Sequence, residues 1–334
     1  MATVGNTYLT LADKFKRQNG NEQIAAIIEM LAEYNSFIQD APVIECNNGT
    51  KHRTTMRTAL PSVAWRVLNE GVEESKSTTT QVDDTTGILE GWSRVDQALV
   101  DMASDKAGFR LSESRAFLEA MNQEAESGLF YHNTNTDPEK ILGLAPRFND
   151  ISASNGQQII DADGTGSDNT SIWFVTWGEN ACHLIYPKGT TGGLQHEDLG
   201  LDTVMDANNN PFRAYRDRYC WNLGVTVRDW RSVSRVANID VPALSVDATT
   251  GANLFDKMVE AYWKLQNHGT AQGKKVIYAN ATILEYLDAQ SRLGNSNVQL
   301  TWREAGPDSE PVLHFRDMPI RRSDALIVNE ERVV

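Results

Sequence analysis

The chain has 334 residues, of which 40% are hydrophobic and 23% are charged, and this composition is typical of a folded protein with one large core or several smaller ones. Its net charge of -14 is spread along the sequence, so a basic face for nucleic-acid phosphates is not expected. The first 17 residues lack the apolar run of a secretory signal, and no stretch is apolar enough to span a membrane. Three widely spaced cysteines, Cys46, Cys182 and Cys220, predict reduced thiols, with neither a disulfide framework nor a zinc site. We therefore expect a protein that stays in the cytoplasm in which it is made.

The first predicted element is an amphipathic helix over residues 22–38. Apolar residues that include Ile24, Ile28 and Leu31 recur along it at helical spacing. No core-sized segment follows until past residue 100, so this apolar stripe is expected to pack on a distant part of the chain or on another chain.

A long hairpin is predicted next. Residues 54–67 and 88–95 are rich in β-branched and aromatic side chains, so both are predicted as strands of one excursion. Trp65 and Trp92 place a bulky aromatic ring on each arm.

The segment between these two strands is unusually polar. Residues 71–87 contain only Val72 and Val82 as apolar side chains, and such a segment cannot bury enough surface to fold upon itself. A disordered linker is one interpretation. The other is an extended hairpin that lies over a neighbouring subunit, which would also explain the aromatic flanks.

The rest of the chain alternates between helices and strands. A helix over residues 111–130 would be about 30 Å long at the ~1.5 Å rise per residue of an α-helix. Further helices are predicted at residues 252–266 and 281–289, and strands at 171–177, 183–186, 219–230, 275–279, 298–302, 312–315, 319–321 and 325–328.

Several segments approach a catalytic or ligand-binding motif, and each lacks a residue that the chemistry requires. Residues 161–172 resemble a calcium-binding EF loop, but Ile172 stands where a bidentate Glu must complete the coordination. The sequence from His196 begins like a zinc-protease motif, but Gly200 replaces the second histidine. Residues 269–275 are too short for a phosphate-binding loop. We therefore predict no catalytic, cofactor-binding or metal-binding residue, and no enzyme.

The order of elements and three sequence strings resemble the Hong Kong 97 capsid family. The strings are LPSVAWRVLNEGVEESKSTTTQVDDTTGILEGWSRVDQALVDMA (60–103), SIWFVTWGENACHLIYPKGTTGG (171–193) and FRDMPIRRSDALIVNEERVV (315–334). They are similar to major capsid proteins of short-tailed double-stranded DNA phages of the epsilon-fifteen and Bordetella phage kind. This resemblance implies an α+β fold with an N-terminal arm (1–50), an E-loop hairpin (51–103), a P-domain with its spine helix (104–159), an A-domain with returning P-domain strands (160–295) and C-terminal P-domain strands (296–334).

The resemblance also implies a structural function. Subunits of this family form hexamers and pentamers of an icosahedral shell that encloses DNA without sequence-specific binding, in a virion assembled in the host bacterial cytoplasm. A portal and a separate cement or decoration protein are the expected partners. Since only about fifty residues precede the E-loop, any scaffolding function is expected in a separate protein.

Contacts between subunits are expected at the exposed hairpin and at the N-terminal arm. The expected residues are Ile24, Ile28, Leu31, Trp65, Arg66, Val72, Lys76, Val82 and Trp92. Lys76 is the only lysine of the polar excursion and so the candidate for a covalent cross-link like that of the founding family member. The alternatives are another phage assembly or tail-associated protein, a cytoplasmic hydrolase, and a carbohydrate-binding β-protein.

Overall fold

The computed structural model describes residues 37–245, 251–266, 273–293, 300–303 and 312–334. Its α-helices are α1 (Phe37–Asp40), α2 (Gln97–Asp101), α3 (Lys106–Tyr131), α4 (Leu254–Lys264) and α5 (Ala281–Leu293). Its strands are β1 (Val43–Glu45), β2 (Lys51–Ala59), β3 (Thr78–Thr85), β4 (Gly87–Asp96), β5 (Ile159–Asp161), β6 (Asn169–Trp177), β7 (Cys182–Tyr186), β8 (Leu194–Met205), β9 (Pro211–Val227), β10 (Val233–Asp240), β11 (Lys274–Ala279), β12 (Leu300–Arg303), β13 (Val312–Phe315) and β14 (Met318–Arg322). The predicted helix over residues 22–38, with Ile24, Ile28 and Leu31, lies outside the described residues except for its last two positions.

The described residues form two compact units, and each unit is assembled from stretches that are far apart in sequence. The first contains Ile88–Glu126 and Gly193–Asn222. The second contains residues 37–87, Ser127–Gly192 and the described parts of Leu223–Val334.

The second unit is organised around a mixed β-sheet with β6 at its centre. Strand β6 pairs antiparallel with β10 and β11 and parallel with β7. Strand β11 pairs parallel with β14, and β7 pairs antiparallel with the C-terminal part of β9. All nine residues of β6 are buried, as expected for a strand that is covered on both faces.

Helices α4 and α5 contribute to a hydrophobic core of this unit. Leu254, Met258 and Ala261 of α4 recur at helical spacing and are fully buried together with Ile283 and Leu287 of α5. They pack in one cluster with apolar side chains of β6, β10, β11 and β14. Burial of this amphipathic stripe is what stabilises such short helices.

The first unit joins most of α3 to the β8–β9 ladder, which runs from Leu194↔Trp221 to Met205↔Pro211 with a shift of register between Asp198 and Gly200. Tyr219 stacks between Phe117 and His196, with ring centroids 5.4 Å and 4.8 Å away. His196 thus lies on a strand and not on a zinc-binding helix.

Most of the predicted elements are confirmed, with bounds that shift by a few residues. The helix predicted over 111–130 is α3, those over 252–266 and 281–289 are α4 and α5, and the strands at 171–177, 183–186, 275–279 and 312–315 are β6, β7, β11 and β13. Two long strands, β8 and β10, were not predicted. In β10 the polar residues Ser234, Arg235 and Asn238 are buried, and they hide the strand pattern in the sequence.

The pairing predicted for the hairpin is wrong. Strand β2 ends at Ala59, so residues 60–67 are not a strand, and its partner is the Thr-rich strand β3 and not the strand over 88–95. That second strand does exist, as β4, but it belongs to the first unit. The β-branched side chains of Thr78–Thr85 fit a pleated ladder even though they bury little surface.

The strand predicted at 325–328 is also wrong, because side chains bind its backbone where a neighbouring strand would. Thr170 Oγ1 donates a hydrogen bond to the carbonyl oxygen of Ile327, and Asn280 Nδ2 donates to that of Leu326. Buried backbone groups need partners, but these partners need not belong to a sheet.

Candidate inter-subunit surfaces

Strands β2 and β3 form a two-stranded sheet of their own. They pair antiparallel from Lys51↔Thr85 to Ala59↔Thr78. The guanidinium of Arg53 donates two hydrogen bonds to the Asp83 carboxylate, at 2.7 and 2.8 Å, and these bonds hold the pKa of Asp83 below its usual value. An isolated two-stranded sheet is only marginally stable in water, so this hairpin depends on what it contacts.

Residues 60–77, which we call the hairpin tip, join these two strands as an exposed segment without helix or strand. Within residues 60–68 of the tip, the large exposed apolar residues are Leu60, Val63, Trp65, Val67 and Leu68. Their exposed fractions run from 62% for Val67 to 101% for Trp65. Five large apolar side chains this exposed within nine residues differ from the scattered single ones of an ordinary protein surface, and such a group marks an interaction surface.

The hairpin tip makes few hydrogen bonds with the described part of its own chain. Ser75 Oγ donates a hydrogen bond to the carbonyl oxygen of Ser62 at 2.7 Å, and Glu70 N donates to the carbonyl oxygen of Val67 at 3.2 Å. These bonds link the two arms of the tip and its turn but leave its apolar side chains uncovered.

Four residues predicted at subunit contacts lie in the hairpin tip. Trp65, Arg66, Val72 and Lys76 are all exposed there. Val82 lies outside the tip and is half-buried within β3, where it pairs with Thr54.

Four of the apolar residues of the tip, Leu60, Val63, Val67 and Leu68, were not among the predicted contact residues. Most of this stretch was predicted as a strand, in which alternate residues would be covered. The available signal was the run LPSVAWRVL, which has no regular alternation and therefore no obvious buried face.

Trp92 lies on β4 in the first unit, within what we call the Trp92 surface: Ile88, Glu90, Trp92, Arg216 and Arg218. The guanidinium carbons of Arg216 and Arg218 lie 4.9 and 5.8 Å from the centre of the Trp92 ring. Arg218 donates two hydrogen bonds of 3.1 Å to Glu90 and keeps the pKa of that carboxyl below its usual value. Trp92 Nε1 donates to the same carboxylate at 2.6 Å.

These contacts fix an aromatic ring that is still 47% exposed, and Ile88 on the same strand is 67% exposed. Tryptophan and arginine held in place at a surface are the residues most enriched at binding hot spots. Trp92 was predicted as a contact residue, but Arg216 and Arg218 were not, because they are more than 120 residues away in the sequence and only the fold brings them to the Trp92 ring.

Among the described residues, no three His, Cys, Asp or Glu side chains are placed to hold a metal ion. In the same part of the chain, no helix has the length and apolar character needed to cross a membrane. The near-match to a phosphate loop at residues 269–275 lies mostly outside the described residues.

Comparisons with known proteins agree on a family. The model of the family described as "Major capsid protein GP7" matches residues 19–334. A chain in the structure of bacteriophage epsilon15 is 41% identical, with 100% of this chain and 99% of that chain covered and a TM-score of 0.78. None of the curated proteins is a significant match.

A more distant likeness concerns the fold alone. The capsid of bacteriophage JBD30 is 10% identical, with 90% of this chain and 95% of that chain covered and a TM-score of 0.51. The matches do not favour a tail-associated protein or a hydrolase. The chain therefore belongs to the major capsid protein GP7 family and is a structural subunit of an icosahedral bacteriophage capsid, with the α+β Hong Kong 97-like fold.

Proposed function

We propose that copies of this chain form hexamers and pentamers that close into a shell around double-stranded DNA, and that the hairpin tip of each copy binds a neighbouring copy. The observation that carries this proposal is the set of five large apolar side chains exposed over residues 60–68. Leaving them in water is unfavourable, at roughly 25 cal/mol per Å² of apolar surface. A lattice of identical copies supplies the cover that a single copy lacks.

The Trp92 surface of the adjacent copy is the proposed seat for the tip. Like the tip, this surface exposes large apolar side chains, namely Ile88 and Trp92. The tip carries the carboxylates Glu70, Glu73 and Glu74 and the cations Arg66 and Lys76, and the seat carries Arg216 and Arg218, which pair with Asp202 and Glu90 in the single copy. Charges of opposite sign that flank an apolar contact fix its orientation.

The segment assignment of the family fits this picture. We propose residues 1–50 as the N-terminal arm, 51–103 as the E-loop, 104–159 as the P-domain with spine helix α3, 160–295 as the A-domain with returning P-domain strands, and 296–334 as the last P-domain strands. Residues Gly193–Asn222, which share a compact unit with most of α3, would be among the returning strands.

The proposed partners follow from the same role. A portal, a separate cement or decoration protein and a separate scaffolding protein would act with the shell, which would be assembled in the host cytoplasm and would have no catalytic activity of its own. The net charge of -14 suits a shell that encloses DNA without binding it tightly, because a basic inner surface would bind the phosphates and hinder release of the DNA.

Substitution of a single ring in the tip tests the proposal. We expect Trp65→Ser to raise the protein concentration needed for shell formation by at least about tenfold, because aromatic anchors dominate the energetics of interfaces. The measurement is a concentration series of the full-length chain followed by sedimentation and negative-stain microscopy.

Trp302→Ser is the matched control, since Trp302 is also a largely exposed tryptophan, at 66%, but lies on β12. It should leave the critical concentration near that of the wild type. Equal effects of both variants, or no effect of Trp65→Ser, would contradict a specific role of the tip.

A further inference from the structure

The end of the β2–β3 hairpin opposite its tip is packed on the central sheet through polar side chains. We call His52, Thr54 and Asp84 the hairpin foot. All three are buried, with exposed fractions of 7%, 5% and 3%. His52 and Asp84 are cross-strand partners in the hairpin, and the foot faces His183 and Thr226, which are cross-strand partners in the β7–β9 ladder.

The foot sits tightly on the sheet. The imidazole rings of His52 and His183 meet edge to face, with centroids 5.2 Å apart. A Cβ atom on Gly224 would lie 2.8 Å from the carbonyl oxygen of Thr85, so only glycine permits this approach of the hairpin to β9.

Asp84 is already fully engaged. One carboxylate oxygen accepts a 2.8 Å contact from the Arg147 guanidinium, and the other accepts a hydrogen bond from the Thr226 hydroxyl. Its charge raises the pKa of both neighbouring imidazoles, but this is the smallest of the causes that act on them.

Other polar atoms at this contact are poorly satisfied. His52 Nδ1 and Thr54 Oγ1 of the foot are buried without a hydrogen-bond partner, and the imidazole of the facing His183 has only the backbone of Gly178 as a partner. Native proteins leave few buried polar atoms in this state, because each one costs about 1–3 kcal/mol. Less free energy is therefore needed to break this contact than to break an apolar contact of equal area.

The remaining charged and titratable groups around the two imidazoles do not favour a second positive charge. Arg147 and Arg228 contribute positive charge, Asp84 and Glu45 negative charge, and the buried thiols Cys46 and Cys182 none at neutral pH. Arg228 is held by the Glu179 carbonyl oxygen and by Asn180 Oδ1, at 3.1 and 3.2 Å.

We propose that the hairpin foot is a proton-sensitive hinge, which holds the hairpin on the central sheet at neutral pH and releases it under mildly acidic conditions. Two imidazoles in edge contact, buried beside arginines, can remain there only while neutral. Once both imidazoles are protonated, their charges repel each other and favour contact with water. Both effects are satisfied only when the two rings separate, and the rings separate only when the hairpin leaves the sheet.

The direction of the pH effect follows from the histidines. Burial first, and then the charge of His52, lower the pKa of His183 from 6.5 to about 4, and burial followed by Arg228 lowers the pKa of His52. A lowered histidine pKa means that the closed foot is fully stabilised above about pH 6.5 and loses that stability as the pH falls toward about 4.

Hydrogen–deuterium exchange of the full-length chain tests the hinge. A released two-stranded sheet frays, so amide exchange in β2 and β3, corrected for the intrinsic effect of pH, should rise about 30-fold between about pH 7.5 and about pH 5, as linkage predicts for His183 alone. Exchange in β6 and α4 should stay slow. No rise in the hairpin, or an equal rise across the core, would overturn the proposal.

The double variant His52→Gln, His183→Gln should lose most of this pH dependence, whereas His196→Gln, on β8 of the first unit, should retain it. A full pH response in the double variant would refute the hinge. Should the double variant not fold, an NMR titration of the wild-type imidazoles decides: a midpoint for His183 below about 5 supports the hinge, and one near the unperturbed value of about 6.5 refutes it.

Discussion

Replacement of residues 60–77 by the dipeptide Asn-Gly should abolish closed shells and leave the subunit folded. Ala59 and Thr78 are cross-strand partners, and Asn-Gly favours the two-residue turn that can join such a pair, so the β2–β3 ladder should persist. The deleted tip contributes exposed apolar side chains and few hydrogen bonds to its own chain. Its removal should therefore change the lattice and not the subunit.

Microscopy and sedimentation would show the loss of shells, with single capsomers or smaller species in their place. Circular dichroism and the denaturation midpoint of the same variant serve as the control and should stay close to the wild type. Normal shells would contradict the assignment of the tip as the contact. Loss of folded structure would show instead that the tip supports its own subunit.

The second large effect is expected in the core of the second unit, at the ion pair between Arg235 and Glu330. The two groups are 2.8 Å apart and their side chains are each 4% exposed. Glu330 also accepts a hydrogen bond from the Tyr131 hydroxyl at 2.5 Å, and burial, followed by the charge of Glu330, raises the pKa of Tyr131. Arg235 in turn donates to the carbonyl oxygen of Phe148 at 2.7 Å and lies 4.9 Å from the centre of the Trp173 ring.

Glu330→Ala should lower the free energy of unfolding by about 3–5 kcal/mol, because it leaves the Arg235 charge buried and unpaired. The double variant Arg235→Met, Glu330→Leu should be much less destabilised than the sum of its two single variants, since it removes both charges. Chemical denaturation of unassembled subunits measures both quantities. Additive effects would show that the two groups do not act as a pair.

Arg53→Ala provides the matched control. Its pair with Asp83 has similar distances, but it lies in the exposed hairpin, where water solvates both partners. We expect little change in the unfolding free energy of that variant. The contrast would show that burial, and not contact distance, sets the importance of an ion pair in this chain.

The C-terminal segment, which contains Glu330, is held by further hydrogen bonds. Asn238 donates a hydrogen bond from Nδ2 to the carbonyl oxygen of Val333 and accepts one from its backbone N–H, each at 2.8 Å. Ile151 N donates to the carbonyl oxygen of Val334 at 3.1 Å. Residues 329–334 therefore contribute to the core without forming a strand, which the sequence pattern could not indicate.

The sequence by itself determined the elements whose pattern is local. The apolar spacing within α4 and the continuous apolar run of β6 need no distant partner to be recognised, and both were predicted close to their observed positions. The sequence also indicated the capsid family, because the resemblance depends on residue order alone. It is carried by residues 60–103, 171–193 and 315–334.

Only the tertiary structure decided how these elements combine. The strand that pairs with β2 could not be identified from the sequence, because Thr78–Thr85 has too few apolar residues to be recognised as a strand. The burial of His52 and Arg235 likewise depends on segments more than 90 residues away. Pairing and burial of this kind are long-range properties, set by the free energy of the whole packed chain, and a pattern read over a few residues carries little information about them.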